Sequence, residues 1–139
     1  MTDAPLVVDA SVAIKWVIPG DGSIRAAALR SRRLFAPDLL LAECAQTLWR
    51  EFRRRALSRD DVFRSFLTLR QAPISWTPTG DLVGDAIAIA TVLNHSVYDC
   101  VYVALARSLS TPLVTVDAKL VAAARRNPRL AELVRSLTD

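Results

Sequence analysis

The chain has 139 residues, 52% of them hydrophobic, enough for one domain (1–139) with a sizeable core. Its apolar runs fall well short of the roughly 18 residues of a membrane span, and Asp3 stands where a signal peptide would be basic, so a soluble cytoplasmic protein is expected. Net charge is +4 and almost wholly arginine, Lys15 and Lys119 being the only lysines, which points to a polyanionic partner because guanidinium pairs phosphate bidentately.

Residues 5–9 read as a buried strand, an apolar run that stops at Asp9. Ser11 to Ile18 follows as a short helix ended by Pro19-Gly20, then Ser23 to Arg33 as a second helix, then a brief strand at Phe35-Ala36. Asp38 caps a long helix over Leu39 to Arg55, whose spacing turns Leu41, Ala45, Leu48 and Phe52 toward the core. Glu43 falls nearly opposite, in a stripe with Thr47, Arg50 and Arg54. Either this is an ordinary solvent face or it holds a cation at one end and phosphates at the other.

Ser58 to Arg70 is the next helix, capped by Ser58 with Asp60 and Asp61 as dipole partners. A short extended piece spans Pro73 to Pro78. The helix opening at Thr79 or Gly80 runs to Leu93, with Val83, Ile87 and Ala90 on one face. Ser96 opens another helix to Leu109, Leu113 to Val116 is a second buried strand, and Ala118 to Arg126 forms the helix after it. From Asn127 the pattern is ambiguous, with Leu133-Val134 fitting either an edge strand or a helix. Strands alternating with helices predict an α/β fold, a three-layer sandwich on a mainly parallel sheet.

Cys44 and Cys100 lack any CxxC or Cys/His spacing and read as reduced core thiols rather than zinc ligands. His95, the single histidine, sits between two predicted helices without a Ser or Cys motif nearby and reads as a plain loop residue.

Three buried stretches meet an aspartate: Asp9, Asp99 and Asp117. A carboxylate there loses hydration unless it is paired. Each one alone reads as a helix cap, and Asp99 would complete a capping box with Ser96. Capping does not explain why a fourth acid, Glu43, recurs in an apolar helix of the same small chain. In parallel α/β folds ligands bind beyond the carboxyl ends of the strands, where Asp9 and Asp117 lie by sequence. Carboxylates gathered there repel one another until a cation neutralises them, and Mg²⁺ or Mn²⁺ takes such oxygen ligands. Ser11 and Thr115, each two residues from an Asp, are hydroxyls suited either to orienting these acids or to simple capping.

Laid out in this way, Val8-Asp9-Ala10-Ser11, Ala42-Glu43-Cys44, Tyr98-Asp99-Cys100-Val101-Tyr102-Val103-Ala104-Leu105-Ala106 and Thr115-Val116-Asp117-x-x-Leu120 resemble the PIN-domain ribonucleases, more narrowly the VapC toxins of toxin–antitoxin pairs. The resemblance implies an α/β/α sandwich and a Mg²⁺- or Mn²⁺-dependent endoribonuclease acting on structured RNA, tRNA or rRNA. It makes Asp9, Glu43, Asp99 and Asp117 the acidic quartet. Asp9 and Asp99 are the direct ligands on this reading, with Glu43 and Asp117 left to a second ion or to contacts through water. It also implies a homodimer and a VapB-type antitoxin blocking the cleft, and it gives Arg50 and Arg54 a part in gripping RNA. Cys100 departs from the alanine usual in the family, and the final strand is weakly signalled. The alternatives are a PIN nuclease of RNA processing, a PIN-fold binding module without catalysis, and a receiver-like domain. The last would need a second acid beside the first strand, and only Asp3 is near.

Overall fold

The computed structural model describes residues 4–138, so Asp3 lies outside the described residues. Five strands form one sheet: β1 Leu6–Val8, β2 Leu34–Pro37, β3 Ile74–Thr77, β4 Leu113–Thr115 and β5 Val134–Ser136. Their order is β3-β2-β1-β4-β5, and every neighbouring pair is parallel. Side chains alternate between the faces of a strand, yet Leu6, Val7 and Val8 are all buried. Both faces of the sheet are therefore covered, which makes the molecule three-layered. Among the described residues no single helix is long and apolar enough to cross a membrane.

The helices are α1 Ala10–Ala13, α2 Ser23–Ala28, α3 Leu39–Arg53, α4 Arg59–Arg70, α5 Val83–Leu93, α6 Val97–Leu109 and α7 Ala118–Arg125. The chain steps from β1 out to β3 on one side, then returns to β4 and β5 on the other. The reversal falls between β1 and β4, and beyond their carboxyl ends such sheets open a crevice. Helix α6 fills the centre: residues from Cys100 to Ala106 are all buried, a helix apolar on every side of its middle turns.

Several elements differ from the sequence expectation. The first two helices are shorter, each finishing in a 3₁₀ turn, at Ile14–Trp16 and Leu29–Ser31. Helix α3 ends at Arg53, and Arg55 closes the turn with a φ of 63°. Its core face is Leu40, Cys44 and Leu48, not Leu41, Ala45, Leu48 and Phe52. Three successive leucines at 39–41 leave the phase of the helix open; packing chose the middle one. Leu41 and Ala45 fall on a half-buried flank. Phe52 is 45% exposed, in a shallow apolar groove with Trp49, Val62 and Phe63.

Asp38 does not cap α3 with its side chain. Its carboxylate accepts from the backbone N–H and the hydroxyl of Thr79, and that hydroxyl accepts from the N–H of Leu39 at 2.8 Å. Asp61 does more than face a dipole, since it closes a capping box with Ser58. In α5 the buried face is Ala86, Ile89 and Leu93, whereas Val83 and Ile87 are exposed and Ala90 is half-buried. That helix is apolar apart from Asp85 and Thr91, so periodicity carried little phase. The ambiguous tail resolves as β5, a parallel edge strand on β4.

Candidate metal centre

Register builds the centre of the site. Val8 pairs with Val114, so the residues just beyond, Asp9 and Thr115, stand side by side at the crevice. The Thr115 hydroxyl donates to Asp9 Oδ2 at 2.6 Å, and Ser11 Oγ donates to Asp9 Oδ1 at 2.5 Å. Both hydroxyls also tie down the β4 end: Val116 N–H donates to Ser11 Oγ, and Asp117 N–H donates to Thr115 Oγ1. One buried threonine, 106 residues from Asp9 in sequence, thus positions both acids.

Asp9 and Asp117 are also helix caps. Asp9 accepts from Val12 N–H, and Asp117 Oδ1 accepts from Lys119 and Leu120. A carboxylate has acceptor capacity to spare, so capping leaves room for a cation. Asp99 lies in the first turn of α6, where its N–H donates to Ser96 Oγ at 3.2 Å. Its carboxylate goes to His95 instead of returning to Ser96: Nε2 of His95 is 2.9 Å from Asp99 Oδ2 and 3.4 Å from Asp117 Oδ2. His95 is thus no plain loop residue. The i,i+4 spacing to Asp99 was the available signal, but Asp117 becomes a neighbour only in the fold.

Glu43 projects from α3 on the opposite wall. The Tyr102 phenol donates to its Oε1 at 2.5 Å. Together these groups line a cleft of about 520 Å³ that takes in Asp9, Glu43, Asp99, Asp117, Tyr98 and Arg50. Arg54 is outside it, in a neighbouring groove with Arg53, where its 75% exposed side chain reaches Glu51 at 3.5 Å. All four acids meet in one cleft, and of the two arginines only Arg50 joins them.

Electrostatics favour a cation in the cleft. Burial pushes the Asp9 carboxyl up to about 6, against the pull of the Ser11, Thr115 and Val12 donors, and Asp99 adds repulsion. Burial also raises Glu43; the Tyr102 hydrogen bond opposes the rise, and Asp99 again adds to it. Three helix N-termini converge here, from α1, α6 and α7, but partial dipole charges do not cancel four carboxylates. Oxygen donors of this density, with an open mouth for water and substrate, suit a hard divalent cation. Among the described residues, ligand atoms of His95, Asp99 and Asp117 lie within 4.8 Å of one another.

Both cysteines are free and buried. Burial pushes the Cys44 thiol up to about 12 and the Cys100 thiol to about 11, so neither is poised as a nucleophile.

A PIN-domain family model matches residues 6–126, a span that includes all four acids. The chain is 32% identical to Ribonuclease VapC3 of Pyrobaculum aerophilum over 119 residues, covering 83% of this chain and 91% of that relative. In fold it is similar to Mycobacterium tuberculosis VapC20, a sarcin–ricin loop cleaving toxin, with a TM-score of 0.67 at 15% identity over 85% of this chain and 94% of the other. It is also similar to VapBC2 from Rickettsia felis, solved bound to a DNA fragment from their promoter, with a TM-score of 0.62 at 12% identity over 95% and 98%.

Proposed function

Because this chain belongs to the PIN-domain family, among its VapC-type ribonucleases, we propose that it is a Mg²⁺- or Mn²⁺-dependent endoribonuclease toxin. It cuts structured RNA, tRNA or rRNA, by phosphodiester hydrolysis. A cognate VapB-type antitoxin neutralises it, and the whole chain acts as one domain, as a homodimer, in the cytoplasm. The observation that carries this reading is the meeting of Asp9, Glu43, Asp99 and Asp117 at the β1–β4 crevice, with burial and mutual repulsion holding carboxyl groups above their ordinary range.

On this reading Asp9 and Asp99 hold the ion directly, with Asp117 and Glu43 beside it. A bound divalent ion supplies charge neutralisation and an activated water for attack on phosphorus. The chain's own residues do the rest. Ser11 and Thr115 keep both Asp9 oxygens oriented, so the acid does not swing out of the crevice. Tyr102 fixes Glu43 on the far wall. Arg50, at the rim, meets the RNA phosphates, and its planar fork suits them. The wide mouth admits a single-stranded loop or bulge, the part of a folded RNA whose backbone is free to enter a cleft. Similar proteins support the finer points: VapC20 is a sarcin–ricin loop cleaving toxin, and VapBC2 was solved with a DNA fragment from their promoter.

The test is cleavage of total RNA by purified, antitoxin-free protein. Discrete fragments are expected with Mg²⁺ or Mn²⁺, and none with EDTA or with Asp99→Asn. No cutting in either metal by folded protein would favour a binding module instead.

A further inference from the structure

We infer that His95 is itself a metal ligand, adding a nitrogen to the Asp9 and Asp99 ligands of the reading above and drawing Asp117 to the same ion, in a mixed site that prefers Mn²⁺ to Mg²⁺. The inference rests on the metal-dependent reading above and deepens it.

The backbone holds this imidazole in place. Asn94 ends α5 in the left-handed conformation, φ 51°, and Ser96 caps α6 with its hydroxyl. His95 is the one residue between them, at a corner where the two helices meet at 110°. Its side chain is only 15% exposed, and Nε2 points at the carboxylates rather than at solvent.

The spacing suits coordination. Bonds of about 2.1 Å place adjacent ligands of an octahedral ion roughly 3 Å apart. Nε2 stands 2.9 Å from Asp99 Oδ2 and 3.4 Å from Asp117 Oδ2, and all three ligand atoms lie within 4.8 Å of one another. The three could share one ion, which would leave its other positions to Asp9, water and phosphate.

The chemistry then separates the two metals. Mg²⁺ is hard, binds oxygen and gains little from an imidazole. Mn²⁺ is softer than Mg²⁺ and accepts mixed oxygen and nitrogen sets. A purely acidic quartet would show a weaker bias, since it offers oxygen alone. The competing description, in which His95 only hydrogen-bonds the two acids, predicts no nitrogen on the metal.

His95 is the single histidine of the chain, so an imidazole signal has one source. The experiment titrates Mn²⁺ into tag-free, full-length protein and records pulsed electron paramagnetic resonance for ¹⁴N coupling, with Mg²⁺ affinity measured by competition. Wild type is expected to show directly coordinated imidazole nitrogen. His95→Gln is expected to lose that coupling and bind Mn²⁺ about tenfold more weakly, with Mg²⁺ affinity changed by less than about threefold. Mn²⁺ bound by wild type without nitrogen coupling overturns the inference while leaving the metal-dependent reading intact. Neither metal binding to wild type overturns both. The wild-type spectrum decides even where the variant folds poorly.

Discussion

The phenol of Tyr102 donates a hydrogen bond of 2.5 Å to Glu43 Oε1, joining the central helix α6 to the wall of the cleft on α3. Tyr102 is 2% exposed, and burial followed by the Glu43 charge raises its own hydroxyl far above the usual range, so it stays a donor at every working pH. Tyr102→Phe keeps the packing and removes only the donor. Glu43 then titrates higher, because the bond that opposed its burial is gone. RNA cleavage is expected to fall about tenfold, with the acid limb of its pH profile displaced to higher pH. A pH profile of cleavage for wild type and variant checks this; parallel profiles would remove the role given to the bond.

Asp9 makes the metal-free protein less stable at neutral pH. Its carboxyl titrates near 3.8 when unfolded and about 6 when folded, so the native state holds the proton more tightly. The stability from this group is complete below the unfolded value and is lost as pH rises through about 6, on the order of 3 kcal/mol at most. In EDTA, Asp9→Asn is therefore expected to melt higher than wild type at pH 7 while cutting no RNA. Equal melting points across pH 4 to 7 would contradict it. Added Mn²⁺ should raise the wild-type melting temperature and leave the variant nearly unmoved.

Thr115 joins the two strand ends by donating to Asp9 and accepting from Asp117 N–H. Thr115→Val keeps the shape but strands a buried acceptor and a backbone donor, and should cost about 2 kcal/mol. Thr115→Ser restores both bonds and most of the activity. Urea denaturation of the two variants, with cleavage measured alongside, separates the hydroxyl from the methyl; equal losses would place the role in packing.

The arginines divide. Arg50→Glu puts a negative charge in the cleft and is expected to weaken RNA binding and flatten its salt dependence by about one phosphate contact. Arg54→Glu, outside the cleft and already near Glu51, is expected to change binding much less. Binding measured across salt concentrations for both variants checks the division, and equal effects would return Arg54 to the RNA path.

How far a sequence reveals such a molecule depends on whether a residue's role is local. Strands β1 and β4 were legible because buried apolar runs leave few other readings, and the acids ending them stand out by their cost. Ser11 and Thr115 were legible as partners by their two-residue spacing, though the bond from Thr115 to Asp9 needed β1 and β4 to be neighbours. Helix phase was lost where apolarity is nearly continuous: three leucines at the start of α3, and most of α5. Asp38 was misread because Thr79, 41 residues away, competes for its carboxylate. His95 was missed for the same reason, since Asp117 reaches it only through the fold.

The most direct test of the central claim is the chemistry of the RNA ends left by wild-type protein in Mn²⁺, with Asp9→Asn and Asp99→Asn as controls. Hydrolysis by a water held at the acidic cleft leaves no 2′,3′-cyclic phosphate, and the cuts vanish in both variants and in EDTA. Cyclic phosphate ends, or cuts that survive loss of the metal and of both acids, would contradict the account, because the RNA's own hydroxyl would then be the nucleophile and the acidic cleft would not be the site.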